Sequence, residues 1–454
     1  MKLHKLITLY LIFFIIFSTC LPAYAEEIWP VAPEIAAPSA IIMEADTGAI
    51  LYEKDMHAQN YPASITKIMT TLLALEKCSL SEPITISYDA LHKTEGSHVG
   101  FKEGEQLTLE QCLYAIMMAS DNQVSYAVAE HIGGTVDNFV AMMNQKAKEI
   151  GCQNTNFNNP HGLPDTNHYT SAYDMALIAK KAYANSTFKT ITSTKTYTIP
   201  STNLTAQPIS FTNHHKMLIN SSYHYDTCTG GKTGYTSAAR NTLVTFAEKN
   251  GMKLICIIMR DDISYSQYTD TTALLNYSFQ NFYKTNISDT ALGTPLESKG
   301  LFPIIHTPFS NNKEVSVFLG DNSDIILPNG LNTTDITSSI SYENKDVTKI
   351  AEINYTYHNH FLGKVSLNSK SNLKSKGLLP EEKVANVSKI PETKNTFTIN
   401  IKIIFIVILI IIAMIGLLYF GRYFLYNYHI ERNNKISNKN KSYRKRKNNS
   451  DYKF

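Results

Sequence analysis

The sequence predicts an α/β (α+β) enzyme domain, a sheet packed by helices beside a mainly helical lobe, with a small β-rich domain after it. Three observations carry that prediction. Leu243-Val244-Thr245-Phe246 and Leu254-Ile255-Cys256-Ile257-Ile258-Met259 are strand-like runs separated by Asn250-Gly251, the pattern of an antiparallel hairpin. Ile65, Ile68, Met69, Leu72, Leu73 and Leu75 recur at the spacing of a helix buried over much of its circumference. From residue 286 to 373 the pattern changes to alternating segments such as Glu314-Val315-Ser316-Val317-Phe318, with a turn at Pro328-Asn329-Gly330. A chain of 454 residues accommodates one large enzyme domain and such an appendage.

Taken in order, residues 1–25 read as a signal peptide: Lys2 and Lys5, an apolar core from residue 6 to 17, then Ala23-Tyr24-Ala25 as a small-x-small cleavage sequence. Residues 26–283 form the enzyme domain, closed by a helix around residues 268–283. Residues 286–373 form the β-rich domain and act as a spacer. Residues 374–400, polar and lysine-rich, read as a stalk. Residues 401–421 contain an uncharged apolar run, 403–420, of the length a bilayer requires, so a single transmembrane helix is expected. The basic tail 422–454, with Arg444-Lys445-Arg446-Lys447, then lies in the cytoplasm and the enzyme domain outside the cell membrane. That tail and the signal account for part of the net charge of +3, and basic residues abutting a membrane helix meet anionic lipid rather than nucleic acid.

Three short strings carry the chemistry: Ser64-Ile65-Thr66-Lys67, Ser120-Asp121-Asn122 and Lys232-Thr233-Gly234. Ser-x-x-Lys recurs at Ser186, Ser310 and Ser371, in polar surroundings. Only Ser64 opens an apolar helical run, which places Lys67 one turn on and on the same face, within reach of the serine oxygen. A helix N-terminus also favours the alkoxide and the oxyanion that follow, although Ser64 taken alone would also serve as a plain N-cap. Ser120-Asp121-Asn122 reads as a polar break between two helices, where a hydroxyl and an amide face a cleft. Lys232-Thr233-Gly234 occurs once, beside Gly230-Gly231 on a strand. A lysine and a threonine on an edge strand suit a substrate carboxylate, and Gly234 lets a substrate backbone come close.

In order and spacing these strings resemble the penicillin-interacting serine enzymes. The surrounding text, Ala40 through Gly48, Asn159-Pro160-His161-Gly162-Leu163 and Lys232 through Ser237, narrows the resemblance to the D-alanyl-D-alanine carboxypeptidases among low-molecular-mass penicillin-binding proteins. The resemblance covers residues 33–282 and implies the penicillin-binding/β-lactamase-like fold. It implies Ser64 as acylated nucleophile, Lys67 as its base, and Ser120 with Asn122 assisting proton transfer and orienting the peptide. It implies Lys232 and Thr233 as holders of the terminal carboxylate, and an oxyanion hole from the N-H of Ser64 and of Tyr235 or Thr236. Peptidoglycan stem peptides are then the substrate and β-lactams covalent inhibitors. A transmembrane helix departs from the family's common surface-lying anchor.

Elementary chemistry agrees with those roles. A lysine with its aqueous pKa of about 10.4 is a base at neutral pH only if burial or a second cation lowers that value, and Lys232 is a candidate for that cation. A class A β-lactamase would need a glutamate between the second and third strings. From Glu149 to Lys232 the carboxylates are Asp165, Asp174 and Asp226, each placed for a turn or a helix start. His161 sits in a turn between Pro160 and Gly162 and reads as structural. His214, His215 and His224 form no plausible ligand set, so neither a metal nor a cofactor is expected. Cys78, Cys112, Cys152, Cys228 and Cys256 lack paired spacing and read as free thiols. Two further readings stand beside the carboxypeptidase: a DD-endopeptidase on cross-links, and a non-turnover β-lactam or wall-fragment sensor.

Overall fold

The computed structural model describes residues 28–263, 265–290, 317–320, 323–342 and 349–369 and, in a separate C-terminal unit, 416, 419–433 and 435. The signal segment, the stalk, nearly all of the expected span 401–421 and most of the basic tail lie outside the described residues. In the C-terminal unit residues 419–433 are helical. Among the described residues no helix is long and apolar enough to cross a membrane.

The enzyme domain is built on a five-stranded antiparallel sheet. Its strands are β1 (Ser39–Glu44), β2 (Ile50–Lys54), β7 (Cys228–Thr236), β8 (Arg240–Lys249) and β9 (Met252–Asp261), in the order β2-β1-β9-β8-β7. The β8-β9 hairpin turns at Asn250 and Gly251, both at positive φ (52° and 76°), as a two-residue turn matching strand twist requires. Three short two-stranded sheets also form: β3 (Pro83–Thr85) with β4 (Gln106–Thr108), β5 (Thr196–Ile199) with β6 (Ile209–Thr212), and β10 (Phe282–Asn286) with β12 (Asp324–Pro328). A four-stranded sheet orders β11 (Val317–Leu319), β15 (His360–Ser369), β14 (Lys349–Tyr357) and β13 (Thr337–Tyr342).

The helices are α1 (Lys67–Lys77), α2 (Tyr88–His92), α3 (Leu109–Met118), α4 (Asn122–Gly133), α5 (Val136–Ile150), α6 (Ala172–Tyr183), α7 (Ser186–Ser193) and α8 (Ser266–Asn281). The central strands are apolar almost throughout because both faces are covered, and the period of two sorts their residues. Ile41, Met43, Ile255 and Ile257 join the core shared with α1, α3, α4 and α6. Ala40, Ile42, Leu254, Cys256 and Ile258 join Leu274, Leu275 and Tyr277 of α8 on the other face. A third core, including Ile325, Leu327, Ile353, Val365 and Leu367, lies in the β-rich region, with Trp29 packed against both it and the α8 face. Because β10 pairs residue by residue with β12, the boundary between enzyme and β-rich regions is itself hydrogen-bonded sheet.

Candidate active site

The nucleophile sits on a short 3-10 turn, Ala63–Thr66, that precedes α1, where the sequence pattern had suggested one continuous helix from about Ser64. Ala63, the first residue of the turn, takes φ 51°, an uncommon conformation for a residue with a Cβ, whereas Thr66 and Lys67 carry right-handed backbone straight on into α1. No side-chain cap bond forms here, so Ser64 does not serve as an N-cap. Its turn is instead held from outside. Gly162 lies so close to the Ala63 carbonyl that an added Cβ would stand 1.9 Å from the oxygen. Thr242 Oγ1 donates to Pro62 O (2.9 Å), and Thr70 Oγ1 donates to Pro160 O (2.6 Å).

Lys67 is wholly buried, and its Nζ has three polar neighbours: Ser64 Oγ at 3.0 Å, Asn122 Oδ1 at 2.6 Å and the His161 carbonyl at 2.7 Å. Asn122 is oriented by its other end, because Nδ2 donates to the Glu95 carbonyl, which leaves Oδ1 for the lysine. Two of the three neighbours of Nζ therefore only accept. A neutral amine has two hydrogens, which these acceptors take, and its lone pair then faces the Ser64 hydroxyl, the group able to donate to it. Burial, with the positive field of Lys232 behind it, holds the Lys67 pKa well below the ordinary lysine value, against the opposing charge of Asp121.

Ser120 joins α3 to α4 in the left-handed region (φ 62°), a strained position of the kind found at functional sites. Asp121 follows as the N-cap of α4. Its carboxylate accepts from Val124 N (2.8 Å) and Val99 N (2.7 Å), and Asn122 N donates to Ser97 O (2.8 Å), so the three-residue break is fixed by main-chain bonds. Across the cleft Lys232 Nζ donates to Ser120 Oγ (3.1 Å) and to its neighbour's carbonyl, Thr233 O (2.9 Å). Lys232 is buried, and burial lowers its pKa to about 7. Thr233 is half-buried, the more reachable of the two.

Gly234 has a structural reason of its own. A Cβ there would lie 2.4 Å from Thr242 Oγ1, 2.9 Å from Ser64 N and 3.2 Å from Ala63 Cβ. The glycine is required for β7 to pack on the turn that carries Ser64. All seven residues expected at the site, Ser64, Lys67, Ser120, Asn122, Lys232, Thr233 and Gly234, thus belong to one connected cluster at the edge strand β7.

Sequence reasoning missed the supports. His168 Nδ1 accepts from Asn158 N (2.9 Å), so the ring carries its proton on Nε2 and donates it to Thr66 Oγ1 (2.9 Å), in the nucleophile turn. Burial lowers its pKa to about 4. His161 enters through its carbonyl, which no residue type advertises, while burial and Lys67 push its ring well below the ordinary histidine range. His215 is buried, with Nε2 3.1 Å from both Val244 O and Thr245 Oγ1, and His224 Nδ1 faces Ile219 O, so these two histidines have local partners. The aspartates also act locally: Asp174 accepts from Gln153 N, Asn154 N and Thr155 Oγ1, and Asp165 from Asn167 N.

Fold and site are those of a serine acyl-transfer enzyme of the penicillin-interacting class, with a lysine amine beside the serine hydroxyl. The pattern of the D-alanyl-D-alanine carboxypeptidase family matches residues 26–263. The D-alanyl-D-alanine carboxypeptidase DacF of Bacillus subtilis is 34% identical over 297 residues, 63% of this chain and 74% of that protein. The crystal structure of the Streptomyces K15 DD-transpeptidase superposes with a TM-score of 0.51 at 29% identity, covering 55% of this chain and 100% of that one. The D-alanyl-D-alanine carboxypeptidase structure from Mycobacterium tuberculosis H37Rv gives 0.51 at 28% identity, covering 57% and 95%. The chain belongs to the D-alanyl-D-alanine carboxypeptidase family, and it is a serine-type D-Ala-D-Ala carboxypeptidase.

Proposed function

We propose that the enzyme removes the terminal D-alanine from peptidoglycan stem pentapeptides through an acyl-enzyme on Ser64. The single observation that carries this assignment of roles is the threefold environment of Lys67 Nζ, which as a neutral amine has its lone pair aimed at Ser64 Oγ. Lys67 takes the Ser64 proton as Oγ bonds to the carbonyl carbon of the penultimate D-alanine. The Ser64 N-H and that of Tyr235, the next along β7 from the glycine abutting Ser64, receive the oxyanion. As the C-N bond breaks, the proton passes to the leaving amine, with Ser120 placed by Lys232 to relay it. Water then takes the place of the departed D-alanine and gives a proton to Lys67 as its oxygen bonds to the acyl carbon; as the C-O bond to Ser64 Oγ breaks, Lys67 returns that proton to Oγ and the shortened peptide leaves as its carboxylic acid.

Thr233 binds the substrate's terminal carboxylate directly, and buried Lys232 supplies its charge from behind. β-Lactams, which present a carboxylate and a reactive carbonyl in similar register, acylate the same serine. The enzyme is exported and held at the cell membrane by the apolar segment 403–420, with its active site facing the wall and the tail in the cytoplasm. The charge and hydropathy pattern supports that placement.

The test is D-alanine release from a stem-peptide mimic ending in D-Ala-D-Ala, with wild type and Ser64→Ala side by side. Release by wild type alone supports the assignment. Covalent penicillin still attached to the Ser64→Ala protein would sink it. Cleavage of a cross-linked dimer in preference to the pentapeptide would move the reading to an endopeptidase.

A further inference from the structure

Away from the cleft, three side chains of metal-ligating type converge from three elements. Cys78 closes α1, Glu82 immediately precedes β3, and His131 lies in the last turn of α4. The thiol sulfur, a carboxylate oxygen and an imidazole nitrogen all lie within 4.8 Å of one another, with His131 Nε2 2.7 Å from Glu82 Oε1. Their backbone is held without help from any ion. Cys78 N donates to Ala74 O (3.1 Å) and Glu82 N to Ser79 O (3.1 Å), while the carbonyls of Leu80 and Glu82 accept from Glu110 N (3.0 Å) and Leu109 N (2.8 Å) at the start of α3.

We propose that Cys78, Glu82 and His131 form a Zn²⁺ site that fastens the far end of α1 to the far end of α4. Zn²⁺ bonds of about 2.3 Å to sulfur and about 2.0–2.2 Å to nitrogen and oxygen place tetrahedral donors about 3.3–3.7 Å apart, which small side-chain rotations reach from the present separations. On binding, the Cys78 S-H bond breaks, its proton goes to solvent and the thiolate bonds the metal. Thiolate and carboxylate then balance the 2+ charge, and neutral imidazole is the third ligand. Sulfur in the set selects Zn²⁺ over Mg²⁺ and Ca²⁺, and with Cys78 and Glu82 half-buried and His131 exposed the fourth position is left to water.

The two helices joined this way are those that begin at Lys67 and Asn122, which already share the 2.6 Å bond at their other ends. An 11-residue helix is about 16 Å long, so the ion would clamp the pair remote from the chemistry and act on stability. The sequence had directed attention to His214, His215 and His224. These three ligands were not found because two lie four residues apart and the third is far along the chain.

The experiment titrates the full-length protein in detergent with Co²⁺ as a spectroscopic stand-in for Zn²⁺. One equivalent should bind, with a thiolate-to-cobalt charge-transfer band and the strong d-d absorption of a four-coordinate site, and Zn²⁺ should displace it. Cys78→Ser should abolish the band, His131→Ala should weaken binding at least tenfold, and Cys152→Ser, altering the other half-exposed thiol, should leave both unchanged. Zn²⁺ should raise Tm in wild type and not in Cys78→Ser, with D-alanine release unaltered. In unmutated protein Zn²⁺ should protect Cys78, and not Cys152, from alkylation mapped by mass spectrometry, a readout independent of whether a variant folds. Absence of stoichiometric binding, a band that survives in Cys78→Ser, or no protection of Cys78 would overturn the proposal.

Discussion

Lys67 and Lys284 both lie largely out of bulk water and sit among opposite kinds of neighbour. Lys67 is wholly buried among neutral groups, an amide oxygen, a carbonyl and a hydroxyl, with another lysine as the nearest strong field. Lys284, on β10, faces Asp46 Oδ2 at 2.5 Å, Asp324 Oδ2 at 3.3 Å and Glu44 Oε1 at 3.5 Å. Burial alone would depress Lys284, but the hydrogen bond to Asp46 and the fields of these carboxylates outweigh it and raise its pKa. Partners therefore decide which way a shielded lysine shifts: Lys67 is pushed toward the neutral form its proposed base role requires, and Lys284 is held as a cation that ties the enzyme sheet to the β10-β12 ladder.

The sharpest way to break that comparison is to deny Lys67 its neutral form. Arginine keeps a positive charge and length but does not lose its proton in proteins. Lys67→Arg should lower the rate of acylation by penicillin about 10³-fold or more, the scale of losing general-base catalysis. Labelled penicillin with quenched-flow sampling reads this directly. A variant within tenfold of wild type would show that the lysine's base role is misassigned.

A second test removes the neighbouring charge, together with its bond to Ser120 Oγ, and reads the field from the pH profile. With Lys232→Gln, Lys67 loses the neighbouring positive charge that helps depress it, so it should hold its proton to higher pH. The reaction requires the neutral amine, which places activity above the Lys67 pKa. The acid limb of the pH-rate profile should therefore move to higher pH, and at neutral pH the rate on an ester lacking a carboxylate should fall about tenfold. Carboxylate-bearing peptides should lose more. An unshifted limb would mean that burial alone sets Lys67.

His168 extends the comparison to a group kept neutral by its bonds. Its folded pKa of about 4 lies below the ordinary value of 6.5, because burial disfavours the charged ring and Nδ1 already accepts from Asn158 N. The unfolded chain binds this proton more readily, so the contribution to stability is complete above about 6.5 and declines as pH falls toward about 4. His168→Phe should cost about 1–3 kcal/mol by leaving Asn158 N and Thr66 Oγ1 without their partner. It should also flatten the loss of stability on acidification, measured as urea midpoints between pH 7 and pH 4. A parallel shift at every pH would show that the ring's protonation is not involved.

The parts of the site legible in sequence are those where residue type and spacing carry the chemistry. Ser64 and Lys67 stand one turn apart before an apolar helical run, and Lys232-Thr233 sits beside two glycines before a hairpin whose turn is written as Asn250-Gly251. Bonds made by the backbone left no such trace. The His161 carbonyl is a partner of Lys67 through an atom every residue has, and the left-handed entry into the 3-10 turn falls at Ala63, φ 51°, an alanine. Gly234 was visible as a glycine but not for its reason, since only the folded chain brings Thr242 and the Ser64 turn against it. In the same way the approach of Lys284 to Asp46 and Asp324 joins residues from three separate strands and loops, beyond any local pattern.

That last cluster gives the smallest expected effect and the control for the rest. Lys284→Arg should leave both stability and D-alanine release near wild type, because a cation that never deprotonates does here what the lysine already does. Lys284→Met should destabilise by about 1–3 kcal/mol, less than for a fully isolated buried charge. Glu44 keeps the N-H groups of Asp46 and Thr47, and Asp46 keeps Lys253 at 3.1 Å. Acylation of the folded Lys284→Met protein by penicillin should be unchanged. The identical Lys→Arg replacement would thus be silent on β10 and disabling at the start of α1, a difference that depends on protonation state alone; loss of acylation in Lys284→Arg would mean that the two lysines are coupled through the sheet.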